Sequence, residues 1–490
     1  MQNEVSFRLF IFRHPWYLWG TASLIVLTLL MFKLLFPYPN MDFDSHHYVM
    51  AAFRNEKIGI WPTGYSRFLQ ICHWITPSAL FLVVVQYLLL ESACLFFFFT
   101  FLYFFRPGKF GTSLLFLFLF VNPIFLYCCN FVLSDALFIS LSLIWVTQLL
   151  WVLWAPRPWL LLTQVLVVYA ALSIRYEALY YPFVSLLCIF FCRFRAWLKV
   201  AGLALTIGLP ALFFWHTSRL VKEVSGERMV SPFAGWKLAN DALYVYAQTY
   251  QQPGEVIPDR LAPLDRQVRK YFDSTPKTDD LLDYDSRSAG SFYIFLPQSP
   301  LNVYMNSHYT EGNDMIKWYK VSDLYAAYGS YLMRQYPAGF LRYFVGPNLI
   351  RYAIPPTENF TLPETFFDSH DYMGYVSARW FNLEHMFVNQ TYSIALMQLT
   401  RLYSKLTGLI HLAFILGCIG ILFSKDFQKM SGTAKRITLL IMILWLFDFF
   451  FSLTAAAVVL RHVLFIQILE MAFAVYFLER VYHSSQLSQP

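Results

Sequence analysis

Ten apolar runs dominate the chain, and each approaches the length that a helix needs to cross a lipid bilayer. They lie at residues 17–37, 79–105, 112–128, 132–154, 159–174, 176–192, 198–215, 404–424, 436–453 and 455–478. A hydrocarbon core of about 30 Å takes roughly 20 helical residues, and lipid offers no partner for unpaired backbone groups. The sequence therefore predicts an all-α polytopic membrane protein with about 10 transmembrane helices.

The composition excludes several other classes. Only 14% of the 490 residues are charged, whereas soluble domains carry about 25%. The net charge of +7 is spread over many short loops, which argues against nucleic acid as a partner. The seven cysteines are scattered, mostly within apolar runs, and indicate neither a disulfide framework nor a zinc site.

The apolar runs divide the chain into three parts. Residues 1–215 form an N-terminal membrane module of about seven spans, whose first outer loop covers residues 38–78. Residues 216–403 are expected to form a mostly helical extracytoplasmic segment, in which the polar, proline-containing stretch 257–290 predicts a surface excursion. Residues 404–490 form a C-terminal membrane module of about three spans. The fifth and sixth runs are short, so they are either two spans or a hairpin that stops inside the membrane.

Lysine and arginine residues collect in alternate loops, and with ten spans these loops all fall on one side. The positive-inside rule makes that side the cytoplasm. The outer side then receives the first loop with Asp42 and Asp44, the tip "SIRYEAL" with Arg175 and Glu177, and Arg461 at the start of the last span. Ionisable residues at membrane depth usually face a cavity or a partner. We expect these residues to form a site for an anionic, lipid-attached substrate.

The order and sidedness of these segments resemble the GT-C superfamily of integral-membrane glycosyltransferases. The branch closest in style contains the protein O-mannosyltransferases and the aminoarabinose transferase that modifies lipid A. "DSHHYVMAA" is similar to its acidic motif, with Tyr48 four residues after Asp44, and "WPTGYSRFL" resembles its Pro/Gly-Tyr stretch. "LSDALF", "SIRYEAL" and "RHVLFIQILEM" resemble its motifs at the outer ends of later spans. The chain departs from the pattern at Ser45, where many members have a second acidic residue.

The resemblance implies an inverting hexosyl or pentosyl transferase, which moves a sugar from a polyprenyl-phosphate donor to a lipid, glycan or protein acceptor. Asp44 is then the expected catalytic base, with Asp42 as a supporting or substitute carboxylate. The expected substrate-binding residues are Tyr48, Tyr65, Arg175, Glu177, Arg351, Arg461 and His462. Membrane lipids are further partners, and the compact chain favours a bacterial inner membrane with the site facing the periplasm.

The resemblance implies no cofactor, although some superfamily members use a divalent ion next to such carboxylates. His46 and His47 offer additional ligands, but neighbouring residues on a helix point in different directions. We therefore expect no metal site.

Simpler structural roles compete for several of these residues. Asp44 is also placed to cap the helix that follows it. Arg175 and Glu177 are also placed to form an interfacial ion pair, and Arg461 to extend toward lipid headgroups. Asp135 in "LSDALF" is expected to mark a helix start, and Arg351 to lie near anionic lipid.

Two other functions stay open at this stage. A transporter or flippase for lipid-linked saccharides would place ionisable residues near the bilayer midplane. We expect the inner parts of the spans to be almost free of charge, which favours chemistry at the outer face. A ligase for lipid-linked saccharides is the other alternative, with His370 and His385 as candidate catalytic residues.

Overall fold

The computed structural model describes residues 6–249, 257–274, 290–357, 372–383, 393–455 and 458–486. It is 82% helical and these residues contain no strand, which confirms the all-α class. The helices are α1 (Phe7–Arg13), α2 (Pro15–Leu35), α3 (Phe43–Phe53), α4 (Gly64–Ile75), α5 (Ala79–Phe105), α6 (Lys109–Phe120), α7 (Pro123–Asn130), α8 (Asp135–Trp154), α9 (Pro158–Ile174), α10 (Tyr181–Phe191), α11 (Ala196–Ser225), α12 (Phe233–Thr249), α13 (Ala262–Ser274), α14 (Phe292–Phe295), α15 (Pro300–His308), α16 (Asp314–Gln335), α17 (Pro337–Phe340), α18 (Gly346–Ala353), α19 (Tyr372–Trp380), α20 (Ser393–Phe423), α21 (Lys425–Lys429), α22 (Gly432–Ala455) and α23 (Leu460–Gln486).

Eight helices in the described part of the chain are long and apolar enough to cross a membrane. They are Pro15–Leu35, Ala79–Phe105, Lys109–Asn130, Asp135–Trp154, Ala196–Ser225, Gln398–Phe423, Gly432–Ala455 and Leu460–Ser484. Apolar side chains on their outer faces, such as Trp16 (89% exposed), Leu34 (83%) and Phe423 (89%), form the surface that lipid would cover. The protein is therefore a multi-pass membrane protein.

The fifth and sixth predicted spans are the shorter helices α9 and α10. Eleven residues of α10 cover about 16 Å, roughly half of a hydrocarbon core. A 3₁₀ turn, Tyr176–Tyr180, separates the two helices and carries the charged tip of the hairpin. Among the described residues, eight helices therefore have the length of a full span, and α9 and α10 are shorter.

A second hydrophobic core lies outside the membrane helices. It is built by α12 to α16, and these five helices together are called the cap. The indole of Trp236 on α12 stacks on Trp318 of α16 with ring centroids 4.0 Å apart. A Cβ atom added at Gly235 would lie 2.1 Å from Ser322 O, so only glycine permits this close approach of α12 to α16.

The cap rests on the first outer loop and on the end of α11. Ile58, Val221 and Tyr319 bury one another at this junction. Tyr319 OH donates to Gly59 O at 2.9 Å, which ties α16 to the loop between α3 and α4. The cap therefore covers the end of the bundle at which the first loop lies.

One part of the predicted surface excursion is ordered by the cap core. Residues 262–274 form α13, an amphipathic helix whose Leu264, Val268 and Phe272 are buried. The prolines at 258 and 263 precede or open this helix, where they are tolerated, and do not interrupt it. Residues 275–289 lie outside the described part.

Candidate functional site

The first outer loop is fixed against the turn between α7 and α8 by backbone hydrogen bonds. Asn40 N donates to Asn130 O at 2.9 Å, and Val132 N donates to Asn40 O at 3.0 Å. The helix α3 begins at Phe43, so that Asp44 lies in its first turn. The acidic end of the loop is thereby held beside the start of α8.

Asp135 joins two arginines from distant parts of the chain. This buried first residue of α8 accepts a hydrogen bond from Arg175, and Arg461 Nη1 donates to its other oxygen at 3.4 Å. Arg175 also donates to Glu177 Oε1 at 2.5 Å. Arg461 Nη2 lies 3.9 Å from Asp44 Oδ2. We call these five residues the carboxylate–arginine cluster.

The charge of Arg175 is fixed by its neighbours. Burial by itself lowers the pKa of Arg175, but the carboxylates of Glu177 and Asp135 oppose this effect and raise its pKa above the ordinary value. The guanidinium therefore stays charged. The cluster sets three carboxylates against two guanidiniums, so an added anionic group must replace an existing contact.

Tyr48 lies one helical turn after Asp44 and contacts the start of α8. Its hydroxyl is 3.2 Å from Ser134 Oγ. Burial raises the pKa of Tyr48, and the nearby Asp44 raises it further, so the phenol stays neutral and cannot serve as a base. Ser45 accepts a hydrogen bond from Asp42 N at 2.9 Å and so helps to begin α3.

A cavity of about 1040 Å³ opens beside the cluster, and its lining side chains fall into three sets by chemistry and origin, which we call walls. Seven of the nine predicted site residues form one wall: Asp42, Asp44, Tyr48, Arg175, Glu177, Arg461 and His462. An apolar wall comes from the membrane module: Leu179, Phe214, Phe451, Ala455 and Val459. The third wall comes from the cap and the α3–α4 loop: Trp61, Phe233, Lys237 and Asp241.

Tyr65 and Arg351 do not line this cavity within the described part of the chain. Tyr65 is fully buried behind Tyr48, with the two ring centroids 4.9 Å apart, and its hydroxyl donates to Gln86 Oε1 at 2.8 Å. Arg351 is buried on α18. The geometry gives Tyr65 a supporting place beneath Tyr48 and leaves Arg351 apart from the cluster.

The two histidines of the first loop contact different partners. His46 Nδ1 lies 2.8 Å from Ser377 Oγ on α19, whereas the His47 ring lies 5.8 Å from that of Trp61. The described residues include no group of three or more His, Cys, Asp or Glu side chains placed to hold a metal ion.

Sequence reasoning missed a charged pair on the cap side of the cavity. Lys237 and Asp241, one turn apart on α12, form a salt bridge, and Lys237 Nζ also donates to Gly290 O at 2.7 Å. Burial raises the pKa of Asp241 to about 6, although Lys237 opposes the shift. Such a pair on a predicted helix is commonly solvent-exposed, and only the docking of the cap places it on a cavity wall.

A second polar cluster lies deep between α20, α22 and α23. His411 Nδ1 lies 2.6 Å from Glu470 Oε1, and Trp445 Nε1 donates to the same oxygen at 2.7 Å. At 1.5 Å per residue, Glu470 lies about 15 Å along α23, near the middle of a hydrocarbon core. Asp448 is also buried, on α22. The expectation that the inner parts of the spans are almost free of charge is therefore wrong for this part of the bundle.

A scan of protein-family models gives no match to the chain, and neither the curated proteins nor the solved structures that were searched match it.

Proposed function

We propose that this chain is an inverting glycosyltransferase of the GT-C type. It moves a hexosyl or pentosyl group from a polyprenyl-phosphate donor to an acceptor hydroxyl at the outer membrane face. One observation carries the proposal: the Asp44 carboxylate lies 3.9 Å from Arg461, on a cavity wall that also presents Arg175. A carboxylate base and two anion-binding groups are what transfer from a lipid phosphate needs.

Arg175 and Arg461 bind the phosphate of the donor. The Arg461–Asp44 separation of 3.9 Å exceeds the range of a hydrogen bond, so a phosphate oxygen can replace this contact more readily than the shorter ones. Asp135 orients both guanidiniums, because it accepts hydrogen bonds from each. Asp135 is thus a positioning residue in addition to being the first residue of α8.

Asp44 acts as the general base. The acceptor oxygen attacks the anomeric carbon while its proton passes to the Asp44 carboxylate. The bond between the anomeric carbon and the phosphate oxygen breaks, and its electron pair stays on the phosphate, where Arg175 and Arg461 stabilise the added charge. One displacement inverts the anomeric centre, so the step needs one base, no covalent intermediate and no cofactor. Asp42, on the same wall, is the substitute carboxylate.

The apolar wall fits the lipid part of the donor. Leu179, Phe214, Phe451, Ala455 and Val459 lie on the same cavity as the two arginines and belong to elements of the membrane module. A polyprenyl chain bound along these side chains keeps its contact with the hydrophobic surroundings while its phosphate reaches the cluster. Polar and apolar walls in one cavity support an amphiphilic substrate.

The location and the acceptor are part of the proposal. The arrangement of basic loops supports a site on the outer face, and a bacterial inner membrane would place that face in the periplasm. The acceptor is a lipid, glycan or protein that presents a hydroxyl there.

A transporter for lipid-linked saccharides is the second candidate, because one observation favours it. The buried His411–Glu470 pair lies near the middle of the membrane, where transporters and proton relays carry ionisable residues. The pair does not line the cavity described above, which is why we place it second. The ligase alternative depends on His370 and His385, which lie outside the described residues.

Transfer and transport are separated by one reconstitution experiment. The full-length protein is placed in nanodiscs, where no second compartment exists, with radiolabelled polyprenyl-phosphate sugars and a membrane extract as acceptor. A transferase releases polyprenyl phosphate and labels an acceptor with inverted anomeric configuration. A protein that moves labelled lipid across proteoliposome membranes but releases none in nanodiscs is a transporter, and the proposal is then wrong.

A further inference from the structure

We propose that Trp61, Lys237 and Asp241 form a subsite for a sugar ring, separate from the carboxylate–arginine cluster. All three side chains line the cavity, on the wall made by the cap and the α3–α4 loop. The inference rests on the proposed function, because it assigns part of the same cavity. It names hydroxylated pyranose or furanose rings as the ligand class.

Lys237 and Asp241 keep hydrogen-bonding capacity toward the cavity. Lys237 Nζ donates to Asp241 and to Gly290 O at 2.7 Å, which uses two of the three ammonium hydrogens. Asp241 Oδ1 accepts from Lys237 and, at 3.0 Å, from Asn240 Nδ2. Asp241 Oδ2 accepts no hydrogen bond from the described residues. Lys237 Nζ also lies 5.8 Å from the centroid of the Phe344 ring. The pair therefore keeps one ammonium hydrogen and one carboxylate oxygen that make no hydrogen bond to the described residues.

The pair is held rigidly. The fully buried Asn240 donates to Gly290 O at 2.8 Å and accepts from Tyr293 N at 3.1 Å. The stacked Trp236 and Trp318 fix α12 against α16 behind this network. Polar groups whose geometry is fixed in advance bind a ligand with little ordering cost.

Trp61 supplies an apolar surface on the same wall of the cavity as the pair, and its ring contacts Phe233, one turn before Lys237 on α12. It is only partly buried, and its ring lies 5.6 Å from Tyr48 and 6.3 Å from Phe233, which hold it in place. A sugar ring has one face of C–H groups, which packs on an indole, and hydroxyls around its edge, which both donate and accept. An indole and a charged donor–acceptor pair on one cavity wall meet both requirements.

Other ligands fit this wall less well. A phosphate group would find one cation on this wall, already paired with the Asp241 carboxylate, whereas the cluster offers two guanidiniums. An alkyl chain would leave the third ammonium hydrogen of Lys237 and Asp241 Oδ2 without a polar partner. Hydroxyl groups satisfy the ammonium and the carboxylate together through charge-assisted hydrogen bonds. The phosphate and the lipid therefore belong at the other two walls.

The test measures binding of methyl glycosides to the full-length protein in nanodiscs by saturation-transfer NMR. The panel contains methyl glycosides of common hexoses and pentoses, and decyl phosphate reports on the arginine wall. We expect at least one glycoside to bind, and its affinity to fall at least ten-fold in Trp61→Ala and Asp241→Asn. Decyl phosphate affinity should not weaken in either variant. Trp74→Ala, at an 80% exposed indole, and Gln248→Ala, at an exposed position of α12, are the matched controls.

Two outcomes overturn the subsite: no glycoside binds the wild-type protein, or binding persists unchanged in both Trp61→Ala and Asp241→Asn. If Arg175→Gln loses decyl phosphate binding and keeps glycoside binding, the phosphate site and the sugar subsite are distinct. If glycosides bind but the protein transfers no sugar, the subsite proposal stands and the proposed transferase function is wrong. If a polyprenyl-phosphate sugar displaces the glycoside and polyprenyl phosphate does not, the subsite binds the donor sugar. If the polyprenyl-phosphate sugar does not displace the glycoside, the subsite binds the acceptor.

Discussion

Arg461 Nη2 lies 3.9 Å from Asp44 Oδ2, although one residue belongs to the first outer loop and the other to the last membrane helix. Between them lie six of the eight span-length helices found in the described part of the chain, and the cap. Asp135 accepts hydrogen bonds from Arg461 and from Arg175, which brings the two guanidiniums together beside Asp44. The site therefore depends on the packing of the first loop against the starts of α8 and α23.

Replacement of Asp135 tests the positioning of the two arginines. In Asp135→Asn we expect kcat/KM for sugar transfer to fall at least ten-fold and decyl phosphate to bind more weakly, because the guanidiniums lose their shared carboxylate. Asp135→Glu should recover part of both losses. Asp323→Asn, at an exposed position of the cap, is the control. An unchanged affinity for decyl phosphate in Asp135→Asn would contradict the positioning role and leave Asp135 only its place at the start of α8.

The pH dependence of anion binding reports on Asp241. Burial raises its pKa to about 6, so the carboxyl is neutral below that pH and charged above it. The cavity thus becomes more positive as the pH falls through about 6. We expect the affinity for decyl sulfonate, whose own charge is constant, to rise between pH 7 and pH 5. The Asp241→Asn variant should lack the part of this rise that is due to Asp241. If the affinity changes with pH equally in wild type and Asp241→Asn, Asp241 is not the group that titrates.

A double-mutant cycle tests the coupling within the deep polar cluster. Glu470→Leu or His411→Leu alone should lower the free energy of unfolding by about 1–3 kcal/mol, because each removes one partner of a buried hydrogen bond. The double variant should lose less than the sum of the two. Chemical unfolding in mixed micelles measures all three, and additive losses would show that the His411–Glu470 contact of 2.6 Å contributes no coupling.

The close packing of the cap depends on Gly235. An added Cβ atom would lie 2.1 Å from Ser322 O, so Gly235→Ala must separate α12 from α16. We expect a loss of about 1–3 kcal/mol in the free energy of unfolding, together with weaker glycoside binding at Asp241. Gly208→Ala on α11, where no neighbouring atom lies within 4 Å, is the control and should be neutral or slightly stabilising. Equal stability of the two variants would contradict the packing.

The membrane helices were largely predictable, because apolar length alone specifies a span. The fifth and sixth predicted spans are shorter than a full span in the structure, where α10 has 11 residues, so the number of crossings stays a prediction. Charge at span ends pointed to Asp44, Arg175 and Arg461, which share the cavity wall. These residues could be predicted because an ionisable group at membrane depth is costly and usually faces a cavity or a partner.

Other parts of the site depend on tertiary contacts that leave no local signal. Tyr65 follows a suggestive motif, yet it is buried behind Tyr48 and away from the cavity. Lys237 and Asp241 have the spacing of an ordinary surface pair and reach the cavity only because the cap docks on the first loop. The His411–Glu470 pair joins two different spans, so the sequence around either residue does not indicate its partner.

The most direct test of the central claim is the transfer rate of Asp44→Asn, compared with wild type, Asp42→Asn and Asp323→Asn, in nanodiscs with a polyprenyl-phosphate sugar. Removal of a general base slows a reaction by about 10²- to 10⁴-fold, so we expect a loss of at least 100-fold in Asp44→Asn with donor binding retained. Asp42→Asn should lose less, and Asp323→Asn nothing. Transfer at the wild-type rate in Asp44→Asn would contradict the assignment of the base, and in both Asp44→Asn and Asp42→Asn it would remove the proposed mechanism.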